Sequence, residues 1–209
     1  DATDVRSAQG QWIVGIDAGA AASMNTQDTA ERFRSRFDRV IGVLLQHADS
    51  GQIKAGRAVD RIMRLRDPLG ARLLAIDAAD TPIAEWLVDH SPAHAVVLPY
   101  GLSDQSAGWR LLDAASELGV SLFAHPGKPS TRWIDPDPSA ESALSFIASN
   151  PRIACAVIEL PVSLDRLDAL LAAAFRPMSA DESGQWIARY RARHAAPARR
   201  RHGHAPDEV

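Results

Sequence analysis

Short apolar runs alternate along this chain with stretches whose apolar residues recur every three or four positions. The runs have the length and character of buried strands, and the periodic stretches those of amphipathic helices. Trp12 to Ile16 predicts a strand closed by Gly19. Thr26 suits the cap of a helix running to Phe37, with Asp28 and Glu31 in its first turns, where the helix dipole favours acids. Val40 to Leu45 predicts a strand ending at Gln46 and His47, and Gly56 to Leu65 a helix with Val59, Ile62, Met63 and Leu65 mostly on one face. Leu73 to Ile76 predicts a strand, and Thr81, with Pro82 at the first helical position, opens a helix to Val88. Ala95 to Leu98 is an apolar run of the fully buried kind, broken by Pro99, Gly101 and Ser103. Trp109, Leu112, Ala115 and Leu118 then recur at helical spacing, with Trp109 expected to pack, before Gly119 and the run Val120 to Ala124. Ser139 to Ser149 predicts a helix with Ala143, Phe146 and Ile147 inward, and Ile153 to Ile158 a strand. Ser163 suits the cap of a helix over Leu164 to Ala174. Ser179 and Glu182 form a capping box for a last helix to about Arg193.

Strand followed by helix, six times over, implies a parallel sheet. It is either closed as a (β/α) barrel or open as a doubly wound sheet, and periodicity alone does not choose. No G-x-G-x-x-G loop follows any of the strands, which argues against a dinucleotide-binding Rossmann domain. A length of 209 residues suits one core. We expect a domain over residues 1–194 and a disordered tail over 195–209, which is rich in Pro, Arg and His. A net charge of −3 gives no electrostatic reason to bind nucleic acid or an anionic membrane, and no apolar run is long enough to span one. The basic residues are 21 Arg and only Lys54 and Lys128, with no Arg cluster interleaved with aromatics. The single cysteine, Cys155, excludes an internal disulfide, and its place in the run Ile153 to Ile158 makes a small buried hydrophobe the expectation. A reducing, cytoplasmic setting is the simplest one consistent with these features.

Several segments carry a family likeness. Leu98-Pro99-Tyr100-Gly101-Leu102-Ser103-Asp104-Gln105 lies between two strand runs, Ala143 to Ile153 reads ALSFIASNPRI, and Ser163 to Ala173 reads SLDRLDALLAA. Together they resemble the aldo-keto reductases over most of the stretch from Trp12 to Tyr190. The resemblance implies a (β/α)8 barrel with its site at the C-terminal strand ends. It further implies NADPH across the mouth, a Tyr proton donor tuned by a Lys and an Asp, and a His that orients the substrate carbonyl. His47, in Leu44-Leu45-Gln46-His47, matches that His. Asp17 stands where the Lys is expected. When the opening residues are laid on the family's Asp and Tyr motif, Asp1 matches the Asp and Arg6 stands at the Tyr. At the implied cofactor contacts the chain has Asp77, Val97, His125 and Glu159, and Tyr100 follows the fourth strand run. Carboxylates at 77 and 159 would repel an anionic dinucleotide.

His47, Asp17, Asp77, His125 and Glu159 would then ring one barrel mouth. As catalytic candidates we take His47, Asp17, His125 and Asp1, and as cofactor-position candidates Asp77, Tyr100 and Glu159. Among the strand-end candidates no H-x-H or H-x-x-x-H spacing supports a metal, the ligands would come from separate strands, and none is expected. The expectation is an incomplete or divergent aldo-keto-reductase-like barrel without a bound cofactor. It would serve as a structural, regulatory or binding module in an oligomer or larger complex. Six units where eight are implied lead us to expect further strands from another subunit or a further region of the same protein. Two alternatives stay open: an NADPH-dependent oxidoreductase acting on carbonyls, or a non-redox lyase, isomerase or hydrolase using the strand-end His and Asp residues.

Overall fold

A right-handed crossover returns the chain to the sheet on the same side each time. Repeated without reversal, it makes strand order equal chain order and collects the helices on one face. That is the arrangement in this computed structural model, which describes residues 12–48, 51, 56–102, 105, 107–125, 139–157 and 164–194. The strands are β1 (Trp12–Asp17), β2 (Val40–Ala48), β3 (Leu73–Ala78), β4 (Ala95–Pro99), β5 (Ser121–His125) and β6 (Ile153–Ala156). They lie in the order β1-β2-β3-β4-β5-β6, and every neighbouring pair is parallel. A doubly wound sheet would reverse its order at a switch point. The unreversed order is that of a (β/α) barrel wall, so the structure makes the choice that periodicity left open. Among the described residues the sheet is not closed, and β1 and β6 are its edges.

The helices are α1 (Ala18–Ser23), α2 (Thr26–Arg34), α3 (Arg57–Leu69), α4 (Thr81–His90), α5 (Trp109–Leu118), α6 (Ala140–Ala148), α7 (Leu164–Ala174) and α8 (Ala180–His194). The core lies between them and the sheet. Leu45, Leu74, Ile76, Val96, Leu98 and Leu122 from the strands meet Ile62 and Leu65 of α3, Leu87 of α4 and Leu111 of α5. Alternation along the strands sends the intervening residues to the other face. There Ile13, Gly15 and Asp17 are exposed, Leu44, Gln46, Asp77, Phe123 and His125 are half-buried, and Ala75 and Val97 are buried. Two close approaches on that face need glycine. A Cβ on Gly42 would stand 2.9 Å from Leu73 Cβ, and one on Gly15 would stand 2.6 Å from Gln46 Oε1.

Several local expectations change. A six-residue helix, α1, follows β1 directly, because the Asp17 carboxylate accepts from the N–H groups of Gly19 and Ala20 and so turns the chain into helix at once. Asn25, not Thr26, caps α2, accepting from Gln27 and Asp28 N–H, and that helix ends at Arg34, short of Phe37. Asp80, not Thr81, caps α4, accepting from Ile83 N–H at 2.9 Å. In both cases the two adjacent residues can cap, and the one whose oxygen reaches the free N–H groups does so. α3 continues past Leu65 to Leu69, holding Pro68 in its last turn, and ends at Gly70 with φ +65°. β2 and β3 each run further, to Ala48 and Ala78, and β6 ends at Ala156. The capping box forms as read: Glu182 accepts from Ser179 N–H at 2.9 Å, and Ser179 Oγ accepts from Glu182 N–H at 3.2 Å. Ser163 and the tail from residue 195 lie outside the described residues.

Three apolar positions are not where their composition puts them. α5 sets its buried stripe with Leu111, Leu112 and Ala115, which leaves Trp109 in its first turn 69% exposed and Leu118 in its last turn 58% exposed. Cys155 is exposed, on β6, which among the described residues pairs only with β5. Packing around its sulfur still removes enough water to raise the thiol pKa above the ordinary value.

Two outcomes follow. Leu74→Ala, at a fully buried site, should lower the unfolding free energy by about 2–5 kcal/mol in urea titration, and Leu118→Ala by about 0.5 kcal/mol or less. Cys155 should alkylate in the folded protein with a pH midpoint above that of a free cysteine. Complete protection from alkylation would instead put the thiol inside the core.

Candidate functional site

Parallel strands in sequential order end together, so β1 to β6 deliver their last residues to one end of the sheet. Register makes this concrete. Asp17 of β1 pairs with Gln46 of β2, Ala48 with Ala78, Asp77 of β3 with Val97 of β4, and Pro99 with His125 of β5. At about 4.8 Å per strand step, Asp17 and Asp77 stand two steps apart on either side of β2, roughly 10 Å along the sheet. His125 is two steps beyond Asp77. His47 belongs to β2 and follows Gln46. The backbone thus brings Asp17, Gln46, His47 and Asp77 to neighbouring strand ends, with His125 further along the same rim. Asp1 and Glu159 lie outside the described residues.

Each of these side chains has its own setting. The Asp17 carboxylate accepts from Gly19 N–H at 2.9 Å and from Ala20 N–H at 3.2 Å, so its position is fixed by the start of α1. Gln46 lies across β1 over Gly15, in the space that a Cβ at 15 would fill. In the register of β1 with β2, Gln46 is the pairing partner of Asp17. Asp77 is half-buried and on the same face, and its pairing partner Val97 is 3% exposed. The His125 backbone carbonyl accepts from Tyr100 N–H at 3.0 Å.

Tyr100 is held differently from the rest. Its ring is buried and stacks on Phe146 of α6 with centroids 5.8 Å apart, and its hydroxyl accepts from Asn150 Nδ2 at 2.9 Å. Asn150 also accepts from Arg152 N–H at 3.0 Å, and Arg152 pairs with Asp113 of α5 at 2.6 Å. Tyr100 thereby ties the β4 end to the α6–β6 turn and, through Arg152, to α5. The sequence reading missed Gln46 and Asn150. The signal for Gln46 was present as Gly15 facing Leu44-Leu45-Gln46, a residue without a side chain opposite a long one. Asn150 had no such local signal, because its partner is fifty residues away.

The cofactor positions implied by the resemblance can be tested against this geometry. At the described ones, a half-buried carboxylate stands at 77 and a buried aliphatic side chain at 97. Neither can donate a hydrogen bond to a nicotinamide carboxamide, and the carboxylate repels the pyrophosphate. Among the described residues, no group of three or more His, Cys, Asp or Glu side chains is arranged to hold a metal ion. Among them, too, no helix is long and apolar enough to cross a membrane.

No protein-family model matches the chain, and no curated protein sequence does. Solved structures do. An aldo-keto reductase from Bacillus halodurans in its holo form superposes with a TM-score of 0.59 at 14% identity, covering 85% of this chain and 70% of that one. An aldo-keto reductase from Klebsiella pneumoniae in complex with NADPH gives 0.64 at 15% identity, covering 85% and 69%. The aldose reductase from Schistosoma japonicum gives 0.56 at 10% identity, covering 85% and 67%. The chain has an aldo-keto-reductase-like α/β fold, and its described residues form an unclosed parallel wall of six strands.

Removing the Asp17 carboxylate should expose the start of α1. We expect Asp17→Ala to lower stability by about 1 kcal/mol in urea titration and Asp17→Ser to restore most of it, since serine also caps. Equal losses in both variants would mean that the carboxylate does more than cap.

Proposed function

We propose that this chain is an aldo-keto-reductase-like domain that acts as a binding or structural module, without NADPH-dependent reduction. The observation that carries the reading is Asp17. The resemblance puts the tuning Lys at this position, and here it is a carboxylate committed to the first N–H groups of α1. A carboxylate cannot lower the pKa of a neighbouring phenol as an ammonium does; it raises it. Asp77 adds a second negative charge two strands away, where an anionic cofactor would have to lie. Further strands, from the same protein or a partner, would cover the edges of β1 and β6, which otherwise offer unpaired ladders to other chains. On this reading the module works in a cytoplasmic assembly.

A second reading, an NADPH-dependent oxidoreductase, draws on the likeness to the Klebsiella pneumoniae reductase, which was solved in complex with NADPH. At 15% identity that likeness speaks for the fold, and the residues at 17, 77 and 97 speak against the cofactor.

The deciding experiment is a titration with NADPH followed by the fluorescence of the protein's five tryptophans. The module reading expects no saturable quenching up to millimolar cofactor. Saturable quenching with a micromolar Kd, worth about −8 kcal/mol, would overturn it in favour of the oxidoreductase.

A further inference from the structure

α3 carries arginines at 57, 61 and 64, and the i, i+4, i+7 spacing puts them along one side of the helix. Opposite them runs the junction of α1 and α2, Met24 to Thr26. The two walls enclose a groove of about 400 Å³. Asp60 is the one carboxylate on its lining, so the groove carries a local charge of +2 on a chain whose net charge is −3. Among the described residues, no carboxylate pairs with Arg57, Arg61 or Arg64.

The start of a helix is its positive end, where acids are favourable and cations are not. α3 opens with Arg57 and has Asp60 as the one acid of its first turn. Its N-cap is Gly56, at φ +72°, with no side chain accepting from the first N–H groups. A phosphate would gain from every one of these features. Arg61 is already ordered, its Nη1 donating to the Met24 carbonyl at 2.6 Å across the groove. A guanidinium has five N–H donors, so most of Arg61 remains available to a second acceptor. The planar fork matches two oxygens of one phosphate.

We propose that this groove binds the phosphate group of a small phosphorylated molecule, with Arg57 and Arg64 as the free clamps and Arg61 as the pre-ordered one. The site lies outside the strand-end positions described above and does not rest on the reading of the strand ends.

The probe is inorganic pyrophosphate, titrated calorimetrically into the full chain. The wild-type protein should give a saturable isotherm, and Arg57→Ala/Arg64→Ala should weaken it at least tenfold. Arg36→Ala/Arg39→Ala removes the same charge from exposed arginines near the start of β2 and should leave the affinity unchanged. If the alanine variant melts early, Arg57→Gln/Arg64→Gln gives the same comparison with less loss of packing. The proposal is overturned if wild type gives no saturable heat, if the groove variant binds as wild type does, or if both double variants weaken binding equally. The last outcome would mean attraction to net positive charge only.

Discussion

The right-handed crossover decides most of what this chain can be. Six parallel strands in chain order, with their connections all on one side, give a sheet whose two faces see different solvents. One face is sealed by helices and takes Leu45, Leu74, Ile76, Val96, Leu98 and Leu122. Among the described residues, no helix covers the other face. That face uses glycine at 15 and 42 and alanine at 75 to let long neighbours such as Gln46 and Leu73 lie flat. The same constraint delivers the strand C-termini to one rim, so the chemistry of that rim is fixed by which residue happens to end each strand.

The central strands and their helices were legible because their signals are local. Val96 to Leu98 is buried whichever way it faces, and Gly119, at φ +71°, ends α5 because its carbonyl-capping conformation suits no other residue as well. Helix starts were less legible where two cap-forming residues stand side by side, as at Asn25-Thr26 and Asp80-Thr81. Edge effects were not legible at all. Cys155 sits in an apolar run that resembles β4, yet β6 has one pairing neighbour among the described residues and its cysteine faces solvent. The rim residues Asp17 and Asp77 could be read from strand ends, whereas the Tyr100–Asn150 bond and the seat of Gln46 depend on register between distant segments.

At the rim, the decisive property is what each carboxylate is already bound to. The Asp17 carboxylate accepts from two backbone N–H groups, which fix its position at the start of α1. Gln46 beside it is neutral, can donate and accept, and is positioned by packing over Gly15. A rim built of a capped carboxylate, a positioned amide and a second carboxylate is suited to hold donors, such as hydroxyl or amine groups, more than an anionic cofactor.

The groove beside α3 carries the complementary preference. There the helix start lacks a side-chain cap, three arginines lack carboxylate partners among the described residues, and one of the three is already pinned across the gap. α2 caps its start with Asn25 and α4 with Asp80, whereas α3, like α5 with Gly108, starts on a glycine without a side-chain cap. What sets α3 apart is the row of arginines that follows, one of them already turned across the groove. An anion in the groove would give those guanidinium groups the acceptors that no carboxylate among the described residues supplies.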